Sequence, residues 1–246
     1  MAGGQAIVAP HGAWDLTGEI AGAAFAAIRN LPPAPPAHEP EARGISRVIL
    51  LGPHHETGEE GIYLSESVSF NTPLGDLPVD LKLSRKLAAC STLIRLNDTP
   101  HLSEHSLEVL LPFVKYCLSG VRIIPILVNG KKPALVSCLA CALRIVLEEY
   151  MEESLVVISS NLSHNLNPDL ALSMAEEFCS LLSCMDAGAF LAAFSEKRIN
   201  SCGCALVAAL LESGLLNGKR FSALTPLASR KEEQGETVYY SAFITG

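Results

Sequence analysis

Four of the chain's seven histidines follow one pattern. An apolar run stops at Pro or Ser and delivers a histidine just past its end. Ala6-Ile7-Val8-Ala9-Pro10 leads to His11. Val48-Ile49-Leu50-Leu51-Gly52-Pro53 leads to His54 and His55. Leu155-Val156-Val157-Ile158-Ser159-Ser160 leads to Asn161 and then His164. In open α/β sheets, ligands bind outside the carboxyl ends of the strands. Imidazoles gathered on that edge from distant parts of the chain suit a metal or a proton-transfer site.

Gly12, next to His11, would let a ligand approach the backbone closely. Adjacent side chains of an extended chain point opposite ways, so at most one of His54 and His55 should share a site with His11. Ser103-Glu104-His105-Ser106-Leu107-Glu108 opens a helix. His105 and Glu108 share a face there, and the positive helix end would keep the ring neutral. The glutamates also suit that helix end without any site. His164 is a candidate general acid or base. Asn161 can hydrogen-bond but carries no proton at neutral pH. Ser159 and Ser160 lack the G-x-S-x-G context of a nucleophile. Cys202 and Cys204 flank Gly203 ahead of a helix, where a thiolate is stabilised, and they compete for one role.

These residues need elements to position them. The pattern predicts a strand over 5–10 and a helix near 17–30, capped by Thr17 with Glu19 in its first turn. A proline-rich surface loop over 31–44 carries a solvated His38. Strands follow at 46–52, 93–96, 121–128 and 154–160, with an extended segment or short hairpin at 62–70. Helices are predicted at 79–89, 103–118 (capped by Ser103), 133–150, 168–184, 186–196 and 205–216. Two closing strands, 220–226 and 237–245, have no helix between them. Regular alternation argues for a central sheet covered by helices on both faces. The closing strands make it a mixed sheet with an antiparallel part.

Composition removes several function classes. The 246 residues suffice for one large domain or two small ones with a sizeable core. A net charge of -8, with no basic cluster longer than Lys131-Lys132, argues against a nucleic-acid surface. No apolar stretch approaches the roughly 18 residues of a membrane span. Met1 to Gln5 lack the basic region of a secretory leader. Eight cysteines in a chain of this length do not make a small disulfide scaffold, and a reducing, cytoplasmic setting is expected. Cys138 and Cys141 form a C-x-x-C on a predicted helix, but no second pair is spaced for zinc. They read as helix-core residues, as do Cys90, Cys117, Cys179 and Cys184.

Taken in order, several segments resemble the Memo family, whose bacterial and archaeal members are called AmmeMemoRadiSam system protein B. They are Ala9-Pro10-His11, Leu51-Gly52-Pro53-His54-His55, Asn71-Thr72-Pro73-Leu74-Gly75-Asp76-Leu77, Glu104-His105-Ser106-Leu107-Glu108-Val109-Leu110-Leu111-Pro112-Phe113, Ile123-Ile124-Pro125-Ile126-Leu127-Val128, Ser159-Ser160-Asn161-Leu162-Ser163-His164 and Cys202-Gly203. The resemblance implies one Memo-like domain over 1–246. It implies a three-layer α/β/α sandwich with a mixed, mostly parallel sheet, like the class III extradiol ring-cleavage dioxygenases. In those enzymes two His and a carboxylate hold Fe(II). In Memo-like proteins a Cys replaces the carboxylate. Carried over by motif, the ligands are His11, His55 and Cys202; His164 matches the dioxygenase acid/base, and His105 lines the site. Family members commonly carry Asp where this chain has Asn161.

Two neutral imidazoles and a thiolate around a divalent ion leave a formal charge of roughly +1 and open positions for an anionic oxygen ligand. The resemblance implies a metal-dependent oxidoreductase of dioxygenase type. Fe(II) is the expected metal, and copper or zinc the alternatives. A second expectation is a non-catalytic, redox-related metal-binding or partner-binding protein working with a radical-SAM system. Its ligand would be a small molecule or a peptide. A metal-free hydrolase using Cys202 as nucleophile ranks last, because the strand-end histidines would then have no task.

Overall fold

The three apolar runs that deliver histidines are neighbouring, mutually parallel strands of one sheet. The computed structural model describes residues 5–29, 44–56, 58–216, 218–232 and 235–246. The first part of the chain gives β1 (Gln5–Ala9), α1 (Trp14–Arg29), β2 (Arg47–Pro53), β3 (Gly61–Leu64), β4 (Ser69–Phe70), β5 (Leu77–Pro78), α2 (Leu81–Ala88) and β6 (Ile94–Leu96). Next come α3 (Thr99–Ser103), α4 (His105–Glu108), α5 (Leu111–Cys117), β7 (Arg122–Asn129), α6 (Pro133–Leu147), a 3-10 turn (Glu148–Glu153), β8 (Ser154–Ser159) and β9 (Ser163–Asn165). The chain closes with α7 (Pro168–Cys184), α8 (Ala187–Ser195), α9 (Cys204–Ser213), β10 (Phe221–Ala223), β11 (Ala228–Lys231), β12 (Thr237–Tyr240) and β13 (Phe243–Thr245).

Among the described residues the main sheet has eight strands in the order β10-β13-β1-β8-β2-β7-β3-β6. The run β1-β8-β2-β7 is parallel, whereas β13, β10 and β3 bring antiparallel pairings. The sheet is therefore mixed, as expected. Ala9 pairs with Ser159 and Leu51 with Ile158, so β1, β8 and β2 end almost flush. With strands about 4.8 Å apart, the ends of β1 and β2 lie roughly 10 Å from each other, within reach of two imidazoles.

Buried parallel strands are apolar on both faces, and their period of two divides them between two cores. Val8, Ile49, Leu51 and Ile126 face α6, α7, α8 and α9. Ile7, Leu50, Ile123 and Val157 face α1, α4 and α5. Local chemistry sets several helix starts. Asp80 caps α2 by accepting the Leu83 N–H at 3.1 Å. Asn167 caps α7, with Pro168 in the first turn.

Some expectations change. The first helix starts at Trp14, so Thr17 lies inside it and its hydroxyl donates to the Gly12 carbonyl at 3.0 Å. The predicted helix 103–118 is broken into α3, α4 and α5. Glu104 adopts an extended conformation (φ -89, ψ 122) and caps α4 itself, leaving Ser103 at the end of α3. Pro112 can open α5 but has no N–H to continue an earlier helix. The segment after β8, expected as a polar loop, contains β9, which pairs with β12. The two predicted closing strands are four. Cys90, Cys141 and Cys184 are exposed, not core residues: Cys141 and Cys184 lie on the water-facing sides of α6 and α7, and Cys90 falls in the turn after α2; Cys117, Cys138 and Cys179 are half-buried. The proline-rich stretch over 31–43 and His38 lie outside the described residues. No described helix is long and apolar enough to cross a membrane.

One glycine sets how closely α4 approaches the sheet. A Cβ at Gly52 would lie 2.6 Å from Leu107 Cδ2 and 2.7 Å from Ser106 Oγ. Both neighbours are buried, and the Ser106 hydroxyl donates to the Pro53 carbonyl at 2.7 Å. Gly52→Ala is therefore expected to destabilise the fold by roughly 1–3 kcal/mol through overpacking. Urea denaturation checks this, and an unchanged midpoint would remove the close approach as a constraint.

Candidate metal centre

Past the end of β1, His11 is almost fully buried at 2% exposure. Its Nδ1 lies 2.7 Å from Ser159 Oγ at the end of β8. The same hydroxyl lies 2.5 Å from the Ser106 carbonyl oxygen, which can only accept. The Ser159 hydrogen is thus committed, and Ser159 Oγ must accept from the Nδ1–H of His11. That fixes the tautomer of the neutral ring: Nε2 carries a lone pair, and it faces Cys202 Sγ at 3.4 Å.

His55, past the end of β2, is held in the same way by a carboxylate. Glu104 Oε1 accepts from His55 Nδ1 at 2.9 Å and from the Ser106 N–H at 2.8 Å. Glu104 Oε2 accepts the His55 backbone N–H at 2.5 Å. Carboxylates that tie down the far nitrogen of an imidazole are the usual support of a metal-ligating histidine.

Cys202 reaches the edge from the loop ahead of α9. The approach is close because residue 203 has no side chain. A Cβ there would lie 2.4 Å from Ser160 Oγ and 3.2 Å from the Ser159 carbonyl. Instead the Gly203 N–H donates to Ser160 Oγ at 3.1 Å. The Asn161 backbone N–H donates to the Cys202 sulfur at 3.1 Å. Ligand atoms of His11, His55 and Cys202 all lie within 4.8 Å of one another.

This donor set fits a metal ion. The 3.4 Å gap between the sulfur and His11 Nε2 is close to the ligand–ligand edge of a tetrahedral ion, roughly 3.5 Å at ordinary bond lengths. Imidazole and thiolate together suit iron, copper or zinc. A second group, His55, Glu104 and His105, is equally close-set. Both oxygens of Glu104 are already engaged by donors, so this group supports the first.

Charge follows the same geometry. Burial would raise the Cys202 thiol, but the adjacent His11, the hydrogen bond from His55 and the Asn161 N–H hold it well below the ordinary thiol range. Hydrogen bonds to Cys202 and then to Glu104 raise His55 to about 9 despite its burial. Burial would raise Glu104 too, yet the donors from His55 and Ser106 bring it down to about 2. Burial, then the nearby His11, lowers His105. Without a metal, the centre is a thiolate and an imidazolium beside a carboxylate.

The other predicted residues divide clearly. The His105 ring stacks on His55 at 5.1 Å and meets His11 edge-on at 5.7 Å, so it lines the centre. His164 lies on β9 and lines, with His55 and Cys202, a cavity of about 510 Å³. His54 also lines that cavity but falls outside the ligand group; its ring lies 6.4 Å from that of Tyr63. Cys204 is buried in α9, where burial pushes its thiol up to about 12, and it falls outside the group formed by His11, His55 and Cys202. The Asn161 side chain accepts the His11 N–H at 3.3 Å. Glu104 and Ser159 are the positioning residues that sequence reasoning missed. Glu104 read as a helix-end charge, and the available signal was its adjacency to His105 at a helix start.

The pH dependence of the metal-free protein follows. Glu104 stabilises the fold above its ordinary value of 4.5, and this is lost as pH falls toward about 2. The raised His55 contributes fully below 6.5 and loses that contribution as pH rises through about 9. Urea unfolding across pH should show both limbs in the wild type. Glu104→Gln is expected to flatten the acid limb, and an identical acid limb in the variant would contradict the assignment.

Comparison with known proteins bears on the family and the fold. A family profile described as Memo-like protein matches residues 1–242. A MEMO1 family protein of Methanothermobacter thermautotrophicus is 24% identical over 94% of this chain and 80% of its own length. Another, from Aeropyrum pernix, is 33% identical over 70% of this chain and 61% of its own length. Among solved structures, an uncharacterized protein of Escherichia coli K12 shares the fold with a TM-score of 0.56. It is 12% identical, over 99% of this chain and 100% of that one. On the strength of the profile match, which spans nearly the whole sequence, the chain belongs to the Memo family.

Proposed function

We propose that His11, His55 and Cys202 hold one divalent metal, Fe(II) in first place, and that the protein is a metal-dependent oxidoreductase of dioxygenase type. The observation that carries this reading is the convergence of two oriented Nε2 atoms and a thiolate within 4.8 Å. That the sheet is of the class III extradiol dioxygenase type is part of the same proposal. In its favour, the donors meet outside the carboxyl ends of parallel strands, in a sheet packed by helices on both faces.

A bound metal would supply Lewis acidity and, if redox-active, electron transfer. The chain's own residues do the rest. Ser159 and Glu104 keep the two imidazoles aimed inward. The Asn161 N–H directs the sulfur. His164, on the cavity wall, takes or gives the substrate proton at its ring. His105 covers the outer side of His55 and limits water access.

One observation favours a second reading. The Asn161 side chain is committed to the His11 backbone and cannot carry a proton to His164. A redox-related metal-binding protein without turnover, working with a radical-SAM system, would need no such relay.

Anaerobic loading with Fe(II), Cu or Zn and elemental analysis, followed by oxygen uptake with a catechol panel, separates the two. One metal per chain is expected, with Fe(II) supporting uptake. Cys202→Ser should weaken metal binding by at least about tenfold, and His164→Gln should retain the metal but slow uptake by roughly 100-fold. Metal bound without uptake selects the second reading. Metal affinity unchanged in both Cys202→Ser and His55→Gln would sink the metal centre.

A further inference from the structure

The cavity beside Cys202 does not end at the metal centre. Its wall residues Glu60 and Lys131 also line a second chamber of about 660 Å³. Most of the surface of that chamber is apolar, with Met174, Leu191, Phe194 and Ile199 in its lining, and polar residues surround it. Each space falls within the roughly 300–1,000 Å³ of small-molecule sites.

The charges on the shared wall are not balanced. Lys132 Nζ neutralises Glu60 at 2.7 Å. Lys131 Nζ lies 5.2 Å over the ring of Phe194, and no carboxylate among the described residues pairs with it. The chamber is lined by three lysines (131, 132 and 197) against one glutamate, in a chain of net charge -8. A positive rim around apolar walls selects an anion that carries hydrocarbon.

We infer that this double cavity binds a small organic acid, its acid group at Lys131 and its apolar body along Phe194 and Leu191. The acid would then sit between the chamber and the metal centre, so this names the substrate class of that site. Its catalytic meaning rests on the metal-centre reading; the binding does not. Lys131 is the specificity residue for charge. Phe194 contributes area to the apolar body and keeps the ammonium over its ring.

Calorimetric titration with phenylbutyrate, and with phenylbutanol as its neutral counterpart, tests this. The wild type should prefer the acid by about tenfold. Lys131→Gln is expected to remove that preference and leave phenylbutanol binding unchanged, whereas Lys131→Arg keeps it. Leu191→Trp, which fills the chamber, should weaken both probes. Metal-free Cys202→Ser should still prefer the acid, so loss of the metal centre and loss of the acid site are read separately. Equal affinity for both probes in the wild type, or an unaltered preference in Lys131→Gln, overturns the proposal.

Discussion

One buried carboxylate holds the site and the fold together. Glu104 accepts from the ring and the backbone of His55 and from the first turn of α4. Its extended backbone breaks what would otherwise be a longer helix. A carboxylate taken out of water is tolerated only when donors surround it. Here they do, and they are the groups that the centre must keep still. The link reaches further, because α4 also supplies the Ser106 carbonyl that fixes the Ser159 hydroxyl and, through it, His11. Both imidazoles are therefore oriented from the same short helix, one by a carboxylate and one by a serine.

The sheet was legible because its strands are continuous apolar runs that end in polar residues. Those runs announced β1, β2, β7 and β8 within a residue or two. They could not announce that β8 lies between β1 and β2, which is what brings His11 and His55 together. Pairing order is a long-range property that no local period encodes. The break at Glu104 was missed because Ser103 is a good cap and the segment 103–118 is amphipathic throughout. Tertiary hydrogen bonds to residue 55 decide that break, and they are invisible locally. The short strand β9 was missed for the same reason, since its partner β12 lies far along the chain. The resemblance picked the ligand set, whereas spacing alone left Cys202 and Cys204 open.

Burial separates those two cysteines physically. Cys204 turns into the helix core, away from any positive partner strong enough to hold a thiolate. Cys202 is half-buried and faces two imidazoles and a backbone N–H. Enclosure without donors makes a thiol inert, whereas donors around it stabilise the thiolate that a metal site requires. The half-open cavity beyond it then governs what can arrive.

The position of β1 has a consequence for the order of assembly. It lies between β8 and β13, and the Ala6 N–H donates to Thr245 Oγ1 at 2.8 Å. During synthesis at about 5–20 residues per second, β1 waits many seconds for either neighbour to emerge. Until then His11 has no Ser159 to hold it, and Cys202 has not been made. A half-finished chain therefore offers scattered imidazoles but no chelating pocket. A metal held by the proposed centre would therefore be captured last, a seal on a completed fold and not a nucleus for it.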